Sequence, residues 1–195
     1  MTAQLTAPTD RTRVSIDALD DVALAHLAKE DSAAFAILYR RNVARVYRYL
    51  LLQTANQHDA EDLTSHVFMQ AIRRIRQYRG ESEFATWLIG IARYAWLDRL
   101  RTARHPTISL DDIDLPDEVS LDEIVSGRMR LAEVIVSMRV LSPDRAEAVA
   151  LRVFADLPFA EVARLMHKSE AATKMLVSRG LADLRARLAN PDDVD

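Results

Sequence analysis

The sequence of 195 residues has no cysteine. Without a thiol the chain can form neither a disulfide framework nor a thiolate metal site, which fits a reducing compartment. Glycine and proline are also scarce, with four and six residues, whereas alanine, leucine and arginine recur throughout. Because residues that interrupt helices are rare and good helix formers are common, the composition favours an all-α fold.

Long apolar runs are missing as well. No segment approaches the ~20 apolar residues that a membrane-spanning helix needs, and the N-terminal residues Asp10, Arg11 and Arg13 come without an apolar signal core. We therefore expect no membrane insertion, no export and a cytoplasmic location. The sequence also offers no nucleophile, phosphate-binding loop or paired acid and base, so we expect no enzyme, no small-molecule substrate and no cofactor.

Charge is segregated along the chain, although the formal net charge is only −3. From Arg73 to Arg104 there are eight arginines against three acids, whereas from Pro106 to Gly127 there are seven acids and no base. Such segregation indicates a basic surface beside an acidic segment. The acidic segment also contains Pro116, and we interpret it as a linker between two domains.

Helical periodicity predicts four helices on each side of this linker. The N-terminal four are expected at about 17–29, at 32–52, from about 59 onward and at 84–104, and the C-terminal four at about 128–138, 143–154, 159–166 and 169–188. Ser142 and Ser169 are suitable N-caps, and Pro143 suits a first helical position.

The C-terminal helices have the layout of a helix-turn-helix motif, in which a short helix, a tight turn at 167–169 and a longer helix follow one another. If the apolar side of the longer helix faces inward, its polar side can meet base edges or phosphates. The inward set is then Val177, Leu181, Leu184 and Leu188, and the outward set is Ala171, Met175, Ser178 and Arg179 with Lys174 at the flank. Alone, the pattern also fits a helical hairpin with an ordinary charged surface.

The third helix begins with an acidic turn, where negative charge suits the helix dipole. His58, Asp62 and His66 share one face of this helix at four-residue spacing, and such a set could bind a metal. No other group completes a site, so we favour an acidic helix terminus with two surface histidines and expect no metal.

The fourth helix mixes aromatic and basic residues on one side, namely Arg93, Tyr94, Trp96, Arg101 and Arg104. This mixture suits single-stranded DNA, because bases stack on rings and guanidinium groups pair with phosphates. The alternative is that the aromatic rings complete a core and the arginines are solvated. The preceding loop, 78–84, is either a plain turn or presents Tyr78 or Phe84 to a flipped base.

Four segments, taken together, resemble the extracytoplasmic-function sigma factors of the sigma-70 family. LAHLAKEDSAAF at 24–35 is similar to the family's opening, DAEDLTSHVF at 59–68 to its polymerase-binding helix, and FATWLIGIARYAWLDRLR at 84–101 to its promoter-melting segment. Residues 141–188 resemble its minus-thirty-five-reading domain. The likeness extends over about residues 20–188 in the family's order and spacing.

The resemblance implies two small helical domains joined by a flexible acidic linker. The implied units are a disordered tail (1–16), a sigma-two domain (17–105), the linker (106–127), a sigma-four domain with the helix-turn-helix (128–189) and a C-terminal tail (190–195). The implied function is promoter-specific transcription initiation. The implied partners are the clamp and flap regions of RNA polymerase core, promoter DNA and an anti-sigma factor.

The resemblance also assigns residues to three surfaces. Core polymerase would be contacted by Asp59, Glu61, Asp62, Thr64, Ser65 and Phe68. The minus-ten element would be melted and read by Tyr78, Arg79, Phe84, Trp87, Arg93, Tyr94, Trp96 and Arg101. The minus-thirty-five element would be read by Ser169, Glu170, Ala171, Lys174, Met175, Ser178 and Arg179. Because 171–173 is Ala-Ala-Thr where Gly-Thr-Val is usual, the preferred DNA sequence is not carried over.

Two rival functions stay open. A helix-turn-helix regulator that binds operator DNA without polymerase would explain the C-terminal half and would leave 20–104 as an unexplained effector domain. A helical metalloenzyme built on His58, Asp62 and His66 would bind metal stoichiometrically, and we rank it far below the two DNA-binding hypotheses.

Overall fold

The computed structural model describes residues 16–102 and 133–189. In these two ranges all regular structure is helical, as the composition predicts, and no strand occurs. The predicted acidic linker lies outside the described residues. So do the two predicted tails, except that Ile16 begins a short 3-10 helix, Ile16–Ala18.

Four α-helices build the N-terminal domain. They are α1 (Asp21–Leu27), α2 (Ser32–Thr54), α3 (Gln57–Arg74, extended by a 3-10 turn at Ile75–Gln77) and α4 (Phe84–Thr102). The first three begin at side-chain caps, because Asp20, Asp31 and Asn56 each accept a backbone N–H bond at 2.7, 2.8 and 2.9 Å. Helix α2 packs against the other three and is the centre of the domain.

The C-terminal domain contains α5 (133–139), α6 (Pro143–Val149), α7 (Phe159–Met166) and α8 (Glu170–Ala189). The sequence predicted one α-helix over 143–154, but after α6 the winding widens into a π-helical turn, Ala150–Phe154. This turn closes with a bond of 2.9 Å from the Ala155 N–H to the Ala150 carbonyl. The wider turn buries Leu151, Ala155 and Leu157 together.

The predicted caps of this domain have different outcomes. Pro143 occupies the first turn of α6 as expected, but the Ser142 hydroxyl makes no capping hydrogen bond. Ser169 does cap α8, since its Oγ accepts the Ala172 N–H at 3.2 Å. Serine at a helix start therefore marked both boundaries correctly, but only one of the two hydroxyls caps its helix.

Helices α7 and α8 form the helix-turn-helix. His167 ends α7 in the left-handed region (φ 53°), and the Lys168 N–H closes the turn on the Ala163 carbonyl at 3.0 Å. Val177 and Leu184 of α8 face inward as predicted, and Leu181 is partly buried. The prediction for Leu188 was wrong: it is 46% exposed, because it lies one turn beyond Leu184, the last residue that α8 buries.

The buried apolar side chains of the two domains form one continuous cluster, which extends from Leu24 in α1 to Leu184 in α8. The junction lies where α2 packs against the π-helical turn. The second domain is therefore seated on the first, beside α2 and α4. Among the described helices, none is both long and apolar enough to cross a bilayer.

Gly180 marks the close crossing of α8 with α6. A Cβ atom at this position would lie 2.7 Å from Val149 Cγ2 and 3.5 Å from the Arg145 carbonyl oxygen. We expect Gly180→Ala to lower the free energy of unfolding by about 1–3 kcal/mol, because overpacking against a stiff valine outweighs the gain in helix propensity. Urea and thermal unfolding measure this change.

Gly90→Ala in α4 is the matched control. Its added methyl group would lie 3.7 Å from Leu165 Cδ2, an ordinary van der Waals distance. This variant should be neutral or more stable by up to ~1 kcal/mol. Equal losses of stability in the two variants would contradict the tight crossing at Gly180.

Candidate nucleic-acid and polymerase interface

The polar residues at the start of α3 have two different environments: some are exposed, and one pairs with a neighbouring helix. Glu61, Asp62 and Ser65 are exposed, on the side of the helix away from the core. Asp59 instead forms an ion pair with Arg99 of α4. Its carboxylate therefore ties α3 to α4, and the negative charge left for an outside partner is that of Glu61 and Asp62.

Two more of the residues assigned to this surface are buried. The Thr64 hydroxyl donates to the Ala60 carbonyl at 2.7 Å within the helix. Phe68 packs edge-on against the Tyr39 ring, with ring centroids 4.7 Å apart. Neither side chain can meet a partner directly in this conformation, because both face the core side of α3; they hold the exposed residues in position.

The hypothesised metal ligands do not come together. His58 Nε2 lies 3.7 Å from Asp62 Oδ2, with both side chains largely exposed, whereas His66 lines a cavity between α3 and α4. Within 16–102 and 133–189, no three His, Cys, Asp or Glu side chains are grouped as metal ligands would be.

The loop 78–84 does not present its aromatic rings to solvent. Tyr78 and Phe84 are 2% and 1% exposed, and they pack with Trp87 at centroid distances of 5.5–5.6 Å. The Tyr78 hydroxyl donates to the Ser82 carbonyl at 2.6 Å. This differs from the predicted presentation of Tyr78 or Phe84 to a flipped base, because burying the rings in a cluster of three is more favourable than exposing them.

Burial also raises the pKa of the Tyr78 hydroxyl, and neighbouring carboxylates raise it further. In order, these are Asp21, Asp20, Glu83 and Glu161. The hydroxyl therefore remains protonated and keeps donating to the loop backbone. Arg79, by contrast, has an exposed side chain, and Gly80 supplies the positive φ of 77° that turns the loop.

Helix α4 separates the predicted DNA-contacting residues into two groups. Tyr94 is 60% exposed, and the Arg101 guanidinium lies 6.0 Å from its ring centroid. Trp87 and Trp96 are instead partly buried against the core. The exposed side of α4 thus carries a cation beside an aromatic ring, an arrangement that suits a stacked base and its phosphate.

A cavity of about 450 Å³ lies between α3 and α4, next to this exposed side. Its polar lining includes one acid, Asp98, beside His66, Arg74, Tyr94 and Arg99, and its apolar lining includes Leu63 and Ile91. Basic, aromatic and apolar groups around one opening are the environment that an unstacked base with its phosphate requires. Arg104, assigned to this basic side from the sequence, lies outside the described residues.

All seven residues assigned to the second helix of the helix-turn-helix are exposed on one side of its N-terminal half. They are Ser169, Glu170, Ala171, Lys174, Met175, Ser178 and Arg179. Lys174 pairs with Glu170 at 2.6 Å and lies 5.7 Å from the Phe159 ring centroid. The N-terminal half of such a helix is the part that faces base edges when it lies in the major groove.

The sequence did not point to Glu147 of α6, which occupies the junction between the domains. Its carboxylate accepts hydrogen bonds from the Tyr49 hydroxyl at 3.2 Å, Gln53 Nε2 at 3.1 Å and Arg93 Nε at 3.0 Å. Burial raises the pKa of Tyr49 well above its usual value, and Glu147 adds to the rise, so that hydroxyl stays a donor. No local signal could identify this site, because its donors lie 54 to 98 positions away in the chain.

Family models match both domains. The model of Sigma-70 region 2 matches residues 38–105, and that of Sigma-70, region 4 matches residues 131–184. These two ranges contain all of the residues assigned to the candidate surfaces.

Named relatives carry the same description. The ECF RNA polymerase sigma factor BldN of Streptomyces coelicolor is 35% identical over 172 residues, which is 84% of this chain and 62% of BldN. The ECF RNA polymerase sigma factor SigM of Mycobacterium tuberculosis is 31% identical over 85% of this chain and 80% of its own length. Among solved structures, the sigma factor RpoE from Bartonella quintana, in complex with the anti-sigma factor NepR, shares the fold. It has a TM-score of 0.64 and 19% identity, with 80% of this chain and 97% of that one covered.

The Tyr78 hydroxyl offers a test of the loop geometry. We expect Tyr78→Phe to lower the free energy of unfolding by about 1 kcal/mol and to increase proteolysis of the loop, because the Ser82 carbonyl loses its donor. Tyr94→Phe removes a hydroxyl from a largely exposed ring and should change stability by less than ~0.5 kcal/mol. Urea unfolding and limited proteolysis of both variants measure the difference, and identical behaviour would contradict a structural role for the Tyr78 hydroxyl.

Proposed function

The chain belongs to the extracytoplasmic-function sigma factors of the sigma-70 family, and on that premise we propose that it binds RNA polymerase core and starts transcription at promoters with defined minus-ten and minus-thirty-five elements. Its family consists of initiation factors and not of enzymes. The observation that carries the proposal is one chain with an exposed acidic helix start in one domain and a helix-turn-helix with an exposed polar face in the other. A protein that works on polymerase and promoter DNA would act in the cytoplasm.

We assign the polymerase contact to the exposed side of α3. Glu61 and Asp62 supply negative charge, and Ser65 supplies a small polar group one turn further on. Asp59, Thr64 and Phe68 support this side from beneath, through the Arg99 pair, the helix backbone and the Tyr39 ring. Complementary charge at such a rim controls how fast and how selectively two proteins associate.

We assign minus-ten recognition to the side of the first domain formed by the loop 78–84 and α4. Arg79, Tyr94 and Arg101 are the exposed members of the predicted set. Tyr78, Phe84, Trp87 and Trp96 shape the surface from within, and the cavity beside Tyr94 offers room for an unstacked base. Single-stranded DNA binds such surfaces by stacking and by pairing of phosphates with arginine.

We assign minus-thirty-five recognition to α8. Arg179 and Ser178 stand on the exposed face and can reach base edges, whereas Lys174 is held by Glu170 and suits a phosphate. The two assignments require the domains to lie on the same promoter at once, so the tether 106–127 would span the distance between the two elements.

An anti-sigma factor is a proposed further partner. The structural relative RpoE from Bartonella quintana is in complex with an anti-sigma factor. We propose a regulator of the same kind for this chain, and its natural targets are the surfaces that polymerase and DNA would use. Pull-down assays with variants that carry mutations in one of these surfaces at a time would identify which surface the regulator covers.

Run-off transcription on a promoter library, with bacterial core polymerase and with or without this protein, tests the proposed function. Specific transcripts that depend on the protein are expected. If the protein bound operator DNA without core polymerase and gave no transcript when core polymerase was present, it would be a helix-turn-helix regulator, and the sigma activity would be contradicted. If the protein did not bind core polymerase, the assignment of α3 to the polymerase contact would be wrong.

The charge of α3 provides a prediction of its own. The double reversal Glu61→Lys with Asp62→Lys should weaken core binding by roughly tenfold or more, because it replaces complementary charges with like charges. The control is Glu30→Lys, which reverses another exposed acid of the same domain. Glu30 pairs with Arg76 on the solvent-exposed surface, so its reversal should leave core affinity unchanged. Fluorescence anisotropy with labelled protein measures both, and equal effects would show a general influence of net charge instead of a contact.

Arg179 is the residue to test for base recognition. Arg179→Ala should weaken promoter recognition by about 1–3 kcal/mol and relax the preference at one position if the guanidinium pairs with a guanine. Arg187→Ala, two turns further along the same helix and also exposed, is the control and should leave the promoter profile unchanged. Run-off transcription on a library randomised in the minus-thirty-five element gives the profile; an unaltered profile for Arg179→Ala removes this residue from the reading set.

A further inference from the structure

The cavity between α3 and α4 has two walls, and only one of them contains a residue that the family resemblance assigns to DNA. Tyr94 of α4 belongs to the assigned set, and its side lies open to solvent, with 60% of the residue exposed. The opposite wall, on α3, includes Gln70 and Arg74, which lie outside every assigned set. A base that enters this cavity of about 450 Å³ therefore meets α3 as well as α4.

Asp98 is the only acid among the described residues that line this cavity. It follows Tyr94 by one turn of α4, and its Oδ1 accepts a hydrogen bond from Arg101 Nη2 at 2.9 Å. Both side chains of this pair are more than half exposed, at 54% and 66%. Because exposed ion pairs contribute little stability, a ligand with well-placed donors can replace the arginine at Asp98.

The charged groups of the cavity follow a fixed order, because α3 and α4 run antiparallel. Asp59 at the start of α3 pairs with Arg99 near the end of α4, so this guanidinium is already occupied at one end of the cavity. Arg74, the last residue of α3, is exposed at the other end. A free guanidinium, an aromatic ring and a carboxylate are thus available to one ligand.

A carboxylate beside an aromatic ring discriminates between the four bases. The Watson–Crick edge of guanine carries two adjacent donors, N1–H and N2–H₂, which the two oxygens of one carboxylate can accept side by side. Adenine and cytosine each present an amino group beside a ring acceptor, and thymine presents one N–H between two carbonyl oxygens. Each of these three bases would place an acceptor against a carboxylate oxygen, so only guanine matches the carboxylate.

We propose that this cavity holds an unstacked guanine of the melted promoter strand. Tyr94 stacks on the base, Asp98 accepts the N1–H and N2–H₂ groups, and Arg74 donates to O6 and N7, the acceptors that arginine pairs with in guanine. The inference rests on the proposed function, since it requires the protein to meet a melted promoter. It adds α3 to base recognition and makes Asp98 the residue that determines specificity.

The displaced Arg101 keeps a role in this arrangement. Its guanidinium lies 6.0 Å from the Tyr94 ring centroid, so after release from Asp98 it remains beside the stacked base. A phosphate of the same strand is the anion that it would then pair with. Arg101 consequently contributes affinity for any sequence, whereas Asp98 contributes the choice of base.

Run-off transcription with core polymerase, on a library randomised in the minus-ten element, tests this division. The wild-type protein should prefer guanine at one position, and Asp98→Asn should reduce that preference roughly tenfold, because the amide retains only one acceptor oxygen. Arg101→Gln breaks the same ion pair but keeps the carboxylate, so it should weaken all promoters alike and preserve the preference. Asp17→Asn removes an exposed acid that pairs with Arg40 outside the cavity, and should change neither quantity.

A modified base isolates the contact with Asp98. Hypoxanthine in place of guanine at the preferred position removes only the N2 amino group. Binding of the polymerase complex to a template with a single-stranded minus-ten element, measured by fluorescence anisotropy, should fall roughly tenfold for the wild-type protein. It should not change for Asp98→Asn. Equal losses for the two proteins would assign the amino group to another residue and overturn the role of Asp98.

Two neighbouring arginines provide the matched test of the α3 wall. Arg74→Ala should lower the guanine preference roughly tenfold, because O6 and N7 lose their donor. Arg73→Ala removes an exposed guanidinium of the same helix that does not line the cavity, and should leave the preference unchanged. The same preference in both variants would remove α3 from base recognition.

The outcomes separate this inference from the proposed function. Transcription that depends on the protein, but shows no preferred guanine or keeps the preference in Asp98→Asn, would overturn the inference alone. If core polymerase gave no specific transcript with the wild-type protein, the proposed function itself would be wrong.

Discussion

Helix α2 is the element on which both domains depend. Within its own domain it packs against α1, α3 and α4, and it also meets the π-helical turn of the second domain. Val46 and Leu50 are fully buried, and Tyr49 and Gln53 in the same part of the helix direct polar groups at Glu147. A single helix can contribute to two cores only if apolar burial extends around more than half of its circumference. Basic residues such as Arg41 and Arg45 therefore lie at the margins of the buried face, where they pair with acids.

The charged residues that the structure describes divide into those that pair within the fold and those that stand exposed on helix faces. Asp59 and Arg99 join α3 to α4, and Arg145 and Asp183 join α6 to α8. Glu61, Asp62 and Arg179 belong to the second group, because they stand on exposed helix faces. A count of charges in the sequence cannot separate the two groups, since an ion pair within the fold and a solvated side chain look alike until their neighbours are known.

Much of the fold followed from local pattern. The helix bounds of α2, α7 and α8, the Ser169 cap and the outward face of α8 were predicted, because each depends on periodicity within one segment. The sequence did not predict the burial of four assigned residues, Thr64, Phe68, Tyr78 and Phe84. A family resemblance assigns a position to a surface, but it does not fix the direction in which the side chain points. The continuation of α6 into a π-helical turn escaped prediction as well, because an extra residue in one turn leaves the apolar spacing almost unchanged. Glu147 was missed for a different reason: its environment comes from two helices far away in sequence.

Arginine on a nucleic-acid-binding surface brings a cost in the free protein that a carboxylate from elsewhere in the chain can offset. A guanidinium that waits for phosphate is hydrated and attracts anions of any kind, including nonspecific DNA. Glu147 accepts a hydrogen bond from Arg93 Nε at 3.0 Å, so this cation already has an anionic partner within the fold. Because Tyr49 and Gln53 of α2 donate to the same carboxylate, one acid both neutralises Arg93 and fixes how α6 lies against the first domain.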